Sequence, residues 1–176
     1  MTEKKRTWRA RIAAVVAFVL LFSVAMTACG NTNQGTQSTG GNKNTVFGVG
    51  EVAQMKNGQV SLLSVTERTG SDFNKPAEGK IYVLCEFEIT NNSDSELAIS
   101  SMLNFKAYCD DYACSYSIGA LLEKGDSNQL DGTVAAGKKL KGVIGYELPV
   151  EWKEIEIHFT PDIWSSETLI FAAANS

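Results

Sequence analysis

Histidine is nearly absent from this chain: His158 is the only one among 176 residues. Nucleophile triads and zinc-dependent hydrolases need a histidine on a cleft-lining loop with its partners. His158 instead alternates with apolar neighbours, on the same side as Glu156 and Thr160, which indicates an exposed strand residue. The chain also lacks a Gly-x-Ser-x-Gly elbow, a His-Glu-x-x-His helix and a phosphate-cradling glycine loop. These absences predict a protein that is not an enzyme; a carboxylate-dependent enzyme is the less favoured alternative.

Metal-binding motifs are equally scarce. No Cys-x-x-Cys pair is present, and Asp126, Asn128 and Asp131 before Gly132 are oxygen ligands at a spacing that could suggest a calcium loop. The remaining oxygens and the terminal bidentate acid of such a loop are missing. We therefore expect a polar surface loop there, and no metal or cofactor.

Basic residues are concentrated at the N-terminus, where five of the first eleven residues are Lys or Arg. An unbroken apolar run follows over residues 12–22, and small residues lead to Ala28. This order is typical of a secretory signal peptide, here residues 1–28. The alternative is an uncleaved anchor, because 12–28 reaches the lower limit of a membrane span. Both interpretations put the rest of the chain outside the cell.

Met26-Thr27-Ala28-Cys29, followed by Gly30, resembles the bacterial lipobox, although leucine is usual where Met26 stands. The resemblance implies that Cys29 receives a diacylglycerol and becomes the mature N-terminus on the outer face of the cell membrane. Two acyl chains give stable anchoring where one does not. The membrane is thus the first expected partner.

A polar tether follows the cysteine. Residues 30–45 contain no apolar side chain, so 29–45 should form a flexible segment with a root-mean-square reach of roughly 20–25 Å. Beyond Arg11 there are 11 basic and 19 acidic residues, a net charge of −8. That charge repels nucleic acid and argues against it as a partner.

Alternating apolar and polar residues predict an all-β domain over 46–176, an immunoglobulin-like antiparallel sandwich of two sheets. The strongest strands are 80–90, 138–149 and 153–161. Further candidates are 46–54, 59–67, 95–100, 104–109, 113–118 and 167–173.

The segments GKIYVLCEFEITNNSDSELAIS, NFKAYCDDYACSYS and VAAGKKLKGVIGYELP, with the Phe159-Thr160-Pro161 ending, resemble a family of bacterial extracellular lipoproteins. Its members carry a telokin-like, immunoglobulin-type domain of unknown function, similar in fold to the mycobacterial immunoprotective extracellular antigen. The resemblance covers roughly 46–173 and implies fold and location. It carries no catalytic residues.

Three cysteines follow Cys29, in a compartment that favours disulfides. Cys109 and Cys114 flank a predicted hairpin and face the same way, so we expect them to be directly opposed and bonded, with Cys85 a buried thiol. A bridge from Cys85 to either of them is the alternative. Trp152 and Trp164, at strand ends, are expected to cap the core rather than to stack on a ligand.

The longest polar connection, TGSDFNKPAEG at 69–79, is the candidate binding loop. Its central residues are Asp72, Phe73, Asn74 and Lys75, and Phe73 is expected to fold back onto the core rather than to anchor a partner. The connection 119–132 is a weaker candidate, since Leu121, Leu122 and Leu130 should pack inward. We therefore expect a non-catalytic module for a protein or small-molecule ligand. The alternative is a structural or assembly subunit of an envelope complex.

Overall fold

The computed structural model describes residues 45–162 and 167–175. The predicted signal peptide 1–28, Cys29 and the predicted tether (Thr45 excepted) lie outside the described residues, as does Trp164. The elements are eleven strands and one short helix: β1 Val46–Phe47, β2 Val52–Met55, β3 Gly58–Arg68, β4 Lys80–Asn91, β5 Leu97–Ile99, β6 Phe105–Cys109, β7 Tyr112–Cys114, α1 Ile118–Leu122, β8 Gly132–Val134, β9 Lys139–Pro149, β10 Glu154–Phe159 and β11 Leu169–Ala174.

The strands form two main sheets and a small ribbon. One sheet has the order β1-β11-β10-β6-β7 and the other the order β2-β3-β4-β9, while β5 pairs with β8. Every pairing is antiparallel except that of β1 with β11, which is parallel. The predicted all-β sandwich is confirmed, with one parallel pair at its edge. None of the described helices is long and apolar enough to cross a membrane.

The core lies between the inner faces of the two sheets. Phenylalanines fill its centre: Phe87 meets Phe171 edge to face at 5.4 Å between ring centroids, and Phe105 lies 4.8 Å from Phe159. Such pairs contribute roughly 0.5–1.5 kcal/mol each beyond their burial. The alternation predicted in the three strongest strands is confirmed: its inward residues are buried in the core, except that Ile81 and Leu140 are partly buried and pack against it. Trp152 is also buried there, and its indole N–H donates to Glu67 at 2.8 Å.

The first strand candidate, 46–54, is two strands in two different sheets. Gly50 adopts a φ of 84°, a left-handed conformation that suits glycine, in the turn between β1 and β2. Phe47 therefore pairs with Phe171 in one sheet, and Ala53 with Val60 in the other. Alternation of apolar residues reports which side is buried, and it does not report a change of sheet.

The predicted strand 113–118 is likewise shorter than expected: β7 ends at Cys114, and a helix begins at Ile118. The hydroxyl of Ser117 accepts the backbone N–H of Ala120 at 3.1 Å and so caps this helix. β8 was not predicted at all. At three residues it is too short to show periodicity.

Candidate functional site

The loop between β3 and β4 contains a tight two-residue turn near its start. Ser71 and Asn74 exchange backbone hydrogen bonds of 2.9 and 3.2 Å, which leaves Asp72 and Phe73 at the tip. Gly70 precedes the turn with a φ of 81°, and a Cβ there would lie 2.3 Å from the carbonyl oxygen of Asn74. Glycine is therefore required for the turn to close.

Asn74 fastens this turn to the rest of the domain. Its Nδ2 donates to the carbonyl oxygen of Gly119 at 2.8 Å and to Oε1 of Glu123 at 2.6 Å, and its Oδ1 accepts the hydroxyl of Tyr82 at 3.2 Å. The hydroxyl of Ser71 adds a bond of 3.1 Å to the same carboxylate oxygen of Glu123. The turn is thus held against α1 from both of its ends.

Tyr82 lies under α1 on the outer face of its sheet, where it is buried with Leu84 and Ala120. Burial raises the pKa of Tyr82, and the carboxylates of Glu147 and Glu123 raise it further. The phenol therefore stays protonated and donates a hydrogen bond to Oδ1 of Asn74. A Cβ on Gly119 would lie 2.8 Å from this hydroxyl, so the helix can approach only because that residue is glycine.

Phe73 stands entirely in solvent, with a relative exposure of 102%. The expectation that it folds back onto the core is wrong. The reason lies in the turn: Ser71 and Asn74 are pinned to α1, and Phe73 therefore projects away from a core that other phenylalanines already fill. The turn is thus ordered by its hydrogen bonds and holds a phenylalanine in solvent.

The helix next to the turn exposes apolar side chains of its own. Ile118 and Leu122 are each 70% exposed, whereas Ala120 and Leu121 are buried. Of the three leucines expected to pack inward, Leu121 and Leu130 do and Leu122 does not. We call Phe73, Ile118 and Leu122 the apolar surface.

A groove of about 840 Å³ opens beside Ile118, between the β6–β7 hairpin and the end of β9. Tyr112, which is 80% exposed, lines it together with Lys80, Ala113, Cys114 and Leu148. Its walls are therefore the outer edge of one sheet and the last strand of the other. The weaker candidate loop, 119–132, contributes no residue to the lining of this groove.

Cys114 lines the groove, and its thiol donates to the carbonyl oxygen of Tyr112 at 3.5 Å. No disulfide joins Cys85, Cys109 and Cys114 in this structure. Burial raises the pKa of Cys114 to about 12, with the neighbouring Cys109 adding to the rise. Burial likewise raises the pKa of Cys85.

The predicted opposition of Cys109 and Cys114 is wrong, because the turn contains only Asp110 and Asp111. Both have positive φ, of 48° and 70°, as a two-residue hairpin turn requires. Tyr112 therefore stands opposite Cys109, and Cys114 stands opposite Ala107. The two cysteines are diagonal neighbours, typically about 7–8 Å apart, near the limit of what a disulfide spans. Their bond stays a prediction.

His158 is less exposed than predicted. Its ring packs at a tilt against the ring of Tyr108, with 5.1 Å between the two centroids, and its Nε2 contacts Oε1 of Glu156. These residues line a small cavity of about 140 Å³ with Asp110, Asp111 and Glu154, a grouping that the alternation did not predict. Asp110 already accepts the backbone N–H groups of Lys153 and Glu154 at 3.0–3.2 Å. The carboxylate is thus engaged in holding the hairpin to β10.

The side chain of Asp131, in the loop considered for calcium, is likewise hydrogen-bonded within the domain. Asp131 accepts the backbone N–H of Ser101 at 2.9 Å and its hydroxyl at 2.7 Å, and it also accepts the Gln129 amide. Among the described residues, no three His, Cys, Asp or Glu side chains are grouped so that they could hold a metal ion.

Residues 47–170 match the family model of the domain of unknown function DUF4352. The chain belongs to the DUF4352 family. The family's own description assigns no activity to it. Comparison with curated proteins gives no match.

Solved structures share the fold of this DUF4352 domain. YjhA of Bacillus subtilis is 17% identical, with a TM-score of 0.57 over 72% of this chain and 98% of its own. YcdA, a provisionally named lipoprotein of Bacillus subtilis strain 168, is 16% identical, with a TM-score of 0.59 over 70% of this chain. The match spans only 38% of the YcdA chain. At such identities the likeness is one of fold.

Proposed function

We propose that this DUF4352 protein is a non-catalytic binding module, held at the outer face of the bacterial cell membrane by a lipid on Cys29, and that its partner is a protein. The single observation that carries the proposal is the braced turn that exposes Phe73 beside Ile118 and Leu122. Exposed aromatic and aliphatic side chains on a rigid support are what interface anchors look like, because little entropy is lost when they are covered.

The anchor itself is supported by the lipobox-like Met26 to Cys29 after an apolar run, and by the name that YcdA carries. The resemblance to extracellular lipoproteins agrees with it, while the likeness in fold to the immunoprotective antigen stays a prediction. Cys29→Ala should release the chain to the medium or stall the precursor. A variant that stays with the membrane and is still cleaved at the same bond would contradict lipidation.

Crosslinking on intact cells tests the binding surface. Phe73→Ser should abolish capture of a crosslinked protein without changing the melting temperature, because a fully exposed side chain contributes little to folding. Val49→Ser is the matched control: Val49 is 48% exposed and lies in the turn between β1 and β2. Full capture by the Phe73→Ser protein, or loss of capture by both variants, would reject the surface.

A further inference from the structure

We propose that the partner-binding surface continues from Ile118 along a second groove to Met102 and Leu103, and that this groove takes a bulky apolar side chain of the partner with a carboxylate beside it. The inference deepens the proposed function and rests on it in taking the ligand to be a protein. It adds a second place of contact and states the chemistry of the segment that binds there.

The second groove exists because the chain changes sheets after β7. β7 pairs with β6 only from Ala107 to Cys109. The chain then crosses to β9, where Tyr116 pairs with Tyr146. The edge of β6 at Phe105 and Lys106 is therefore not covered by β7, and a cavity of about 500 Å³ opens there. That volume lies within the range of ligand pockets, roughly 300–1,000 Å³.

A turn held by buried polar side chains borders the second groove. Ser101 donates to the carboxylate of Asp131 through its N–H and its hydroxyl, at 2.9 and 2.7 Å. Asn104 donates to the carbonyl oxygen of Thr160 at 2.9 Å. Ser101 and Asn104 are both buried, and buried polar groups are costly unless they are hydrogen-bonded. These bonds therefore hold the turn in place and support the two residues that lie between them.

Those two residues are Met102 and Leu103, which are 68% and 72% exposed. Met102 lines the second groove together with Ile118, which belongs to the apolar surface. A single exposed aliphatic side chain is ordinary, but several around one groove form the kind of patch that a protein partner covers. The buried rings of Phe105 and Tyr146 lie at the base of the groove. They provide an apolar floor for a side chain of the partner, and the flexible thioether of Met102 adapts to its shape.

The charge of the second groove is positive. Among the described residues that line it, Lys106 is the only charged one, and it is exposed. Glu156, on the neighbouring strand, contacts His158 and lines the separate cavity of about 140 Å³. The sign of the groove is thus opposite to that of the acidic chain as a whole. A carboxylate next to the apolar side chain of the partner is complementary to Lys106, whereas a basic segment is repelled by it.

Panning of a phage-displayed random dodecapeptide library against the full-length chain in mild detergent tests the inference. Enriched peptides should combine a bulky apolar residue with Asp or Glu. The same peptides made synthetically should bind roughly tenfold more weakly to Lys106→Glu, because the charge of the groove is reversed. Lys56→Glu, the same change on the exposed turn between β2 and β3, should bind them as the parent does. Met102→Ser should also weaken binding, whereas Val49→Ser, at an exposed apolar residue elsewhere, should not.

Methyl NMR locates the bound peptide. With isotope-labelled methionine methyl groups, the signal of Met102 should shift when the peptide is added. The signal of Met55 is the internal control, because Met55 packs against the core and lines a different cavity. The residues changed in the binding experiment are exposed, so each variant should fold.

A library that gives no enrichment over the bare support, peptides that bind Lys106→Glu as tightly as the parent, or a Met102 signal that stays in place would each overturn the inference. A concentration-dependent dimer seen by light scattering and lost in Met102→Ser would assign the groove to a second copy of this chain instead. The two proposals fail in different experiments: the apolar surface in the crosslinking of Phe73→Ser on intact cells, and the second groove in these peptide titrations.

Discussion

Nδ2 of Asn74 donates a hydrogen bond of 2.6 Å to Oε1 of Glu123, which lies 49 residues further along the chain. The bond joins the turn in the β3–β4 loop to Glu123, the C-cap residue of α1. Because Glu123 is acidic, the bond is charge-assisted and stronger than one between neutral groups.

Asn74→Ala should therefore loosen the turn. It removes the bonds to Glu123, Gly119 and Tyr82, and we expect a loss of about 1–2 kcal/mol in the free energy of unfolding, together with weaker partner capture because Phe73 is no longer held in place. Urea unfolding and crosslinking measure the two effects. Asn92→Ala, at an exposed asparagine after β4, is the control. An unchanged unfolding free energy in Asn74→Ala would mean that these bonds do not brace the turn.

The cysteine pairing is open to direct mapping. We predict that Cys109 and Cys114 are bonded in the exported protein and that Cys85 is a free thiol, although β7 has to shift to bring a diagonal pair into range. Closing so short a loop stabilises by about 2 kcal/mol, so Cys114→Ser should weaken the domain by about that amount under oxidising conditions only. Peptide mapping without reductant decides the matter, and a fragment linked through Cys85 would support the inter-sheet alternative.

Alkaline pH should destabilise the reduced domain. Burial raises the pKa of Cys85 above its ordinary value of 9.0, so the unfolded chain releases this proton before the folded one does. The stability from the protonated thiol is thus complete below pH 9 and falls as the pH rises above it, by about 1.4 kcal/mol per pH unit for one thiol. Cys85→Val replaces the thiol with an apolar side chain about one methyl group larger, so the stability of the variant should fall less steeply between pH 9 and 11. Parallel curves for the two proteins would show that Cys85 contributes nothing to the slope.

A chain of residues 46–176 should fold without the preceding segment. The core consists of side chains within this range, and the strand at its start, β1, already pairs with β11. Far-ultraviolet circular dichroism should show a β spectrum with no more helix than the five residues of α1. A strongly helical or unfolded spectrum would contradict the domain boundary.

Much of the architecture was predictable, because a strand with one buried face must alternate. Ile155, Ile157 and Phe159 are fully buried as the pattern in β10 predicts. The pattern failed where a short-range interaction overrides it, as at the cap of Ser117, or where the chain changes sheets without a change in burial, as at Gly50.

The site was predictable only in part. The length and polarity of 69–79 made this loop the candidate, and its binding role stays a prediction. The exposure of Phe73 depends on Glu123 and Gly119, which are distant in sequence. No local pattern reports such a contact. The second groove is also invisible in the sequence, because it depends on where the chain leaves one sheet for the other.

The amino-acid sequence by itself determined the composition-level properties: the basic and apolar N-terminal segment, the acidic remainder, the scarcity of histidine and the β periodicity. These follow from residue types and their spacing, which folding does not alter. Tertiary structure alone decided that Phe73 faces solvent and that Cys114 stands opposite Ala107. Each of these depends on distances between residues brought together by strand pairing, and those distances do not exist until the sheets form.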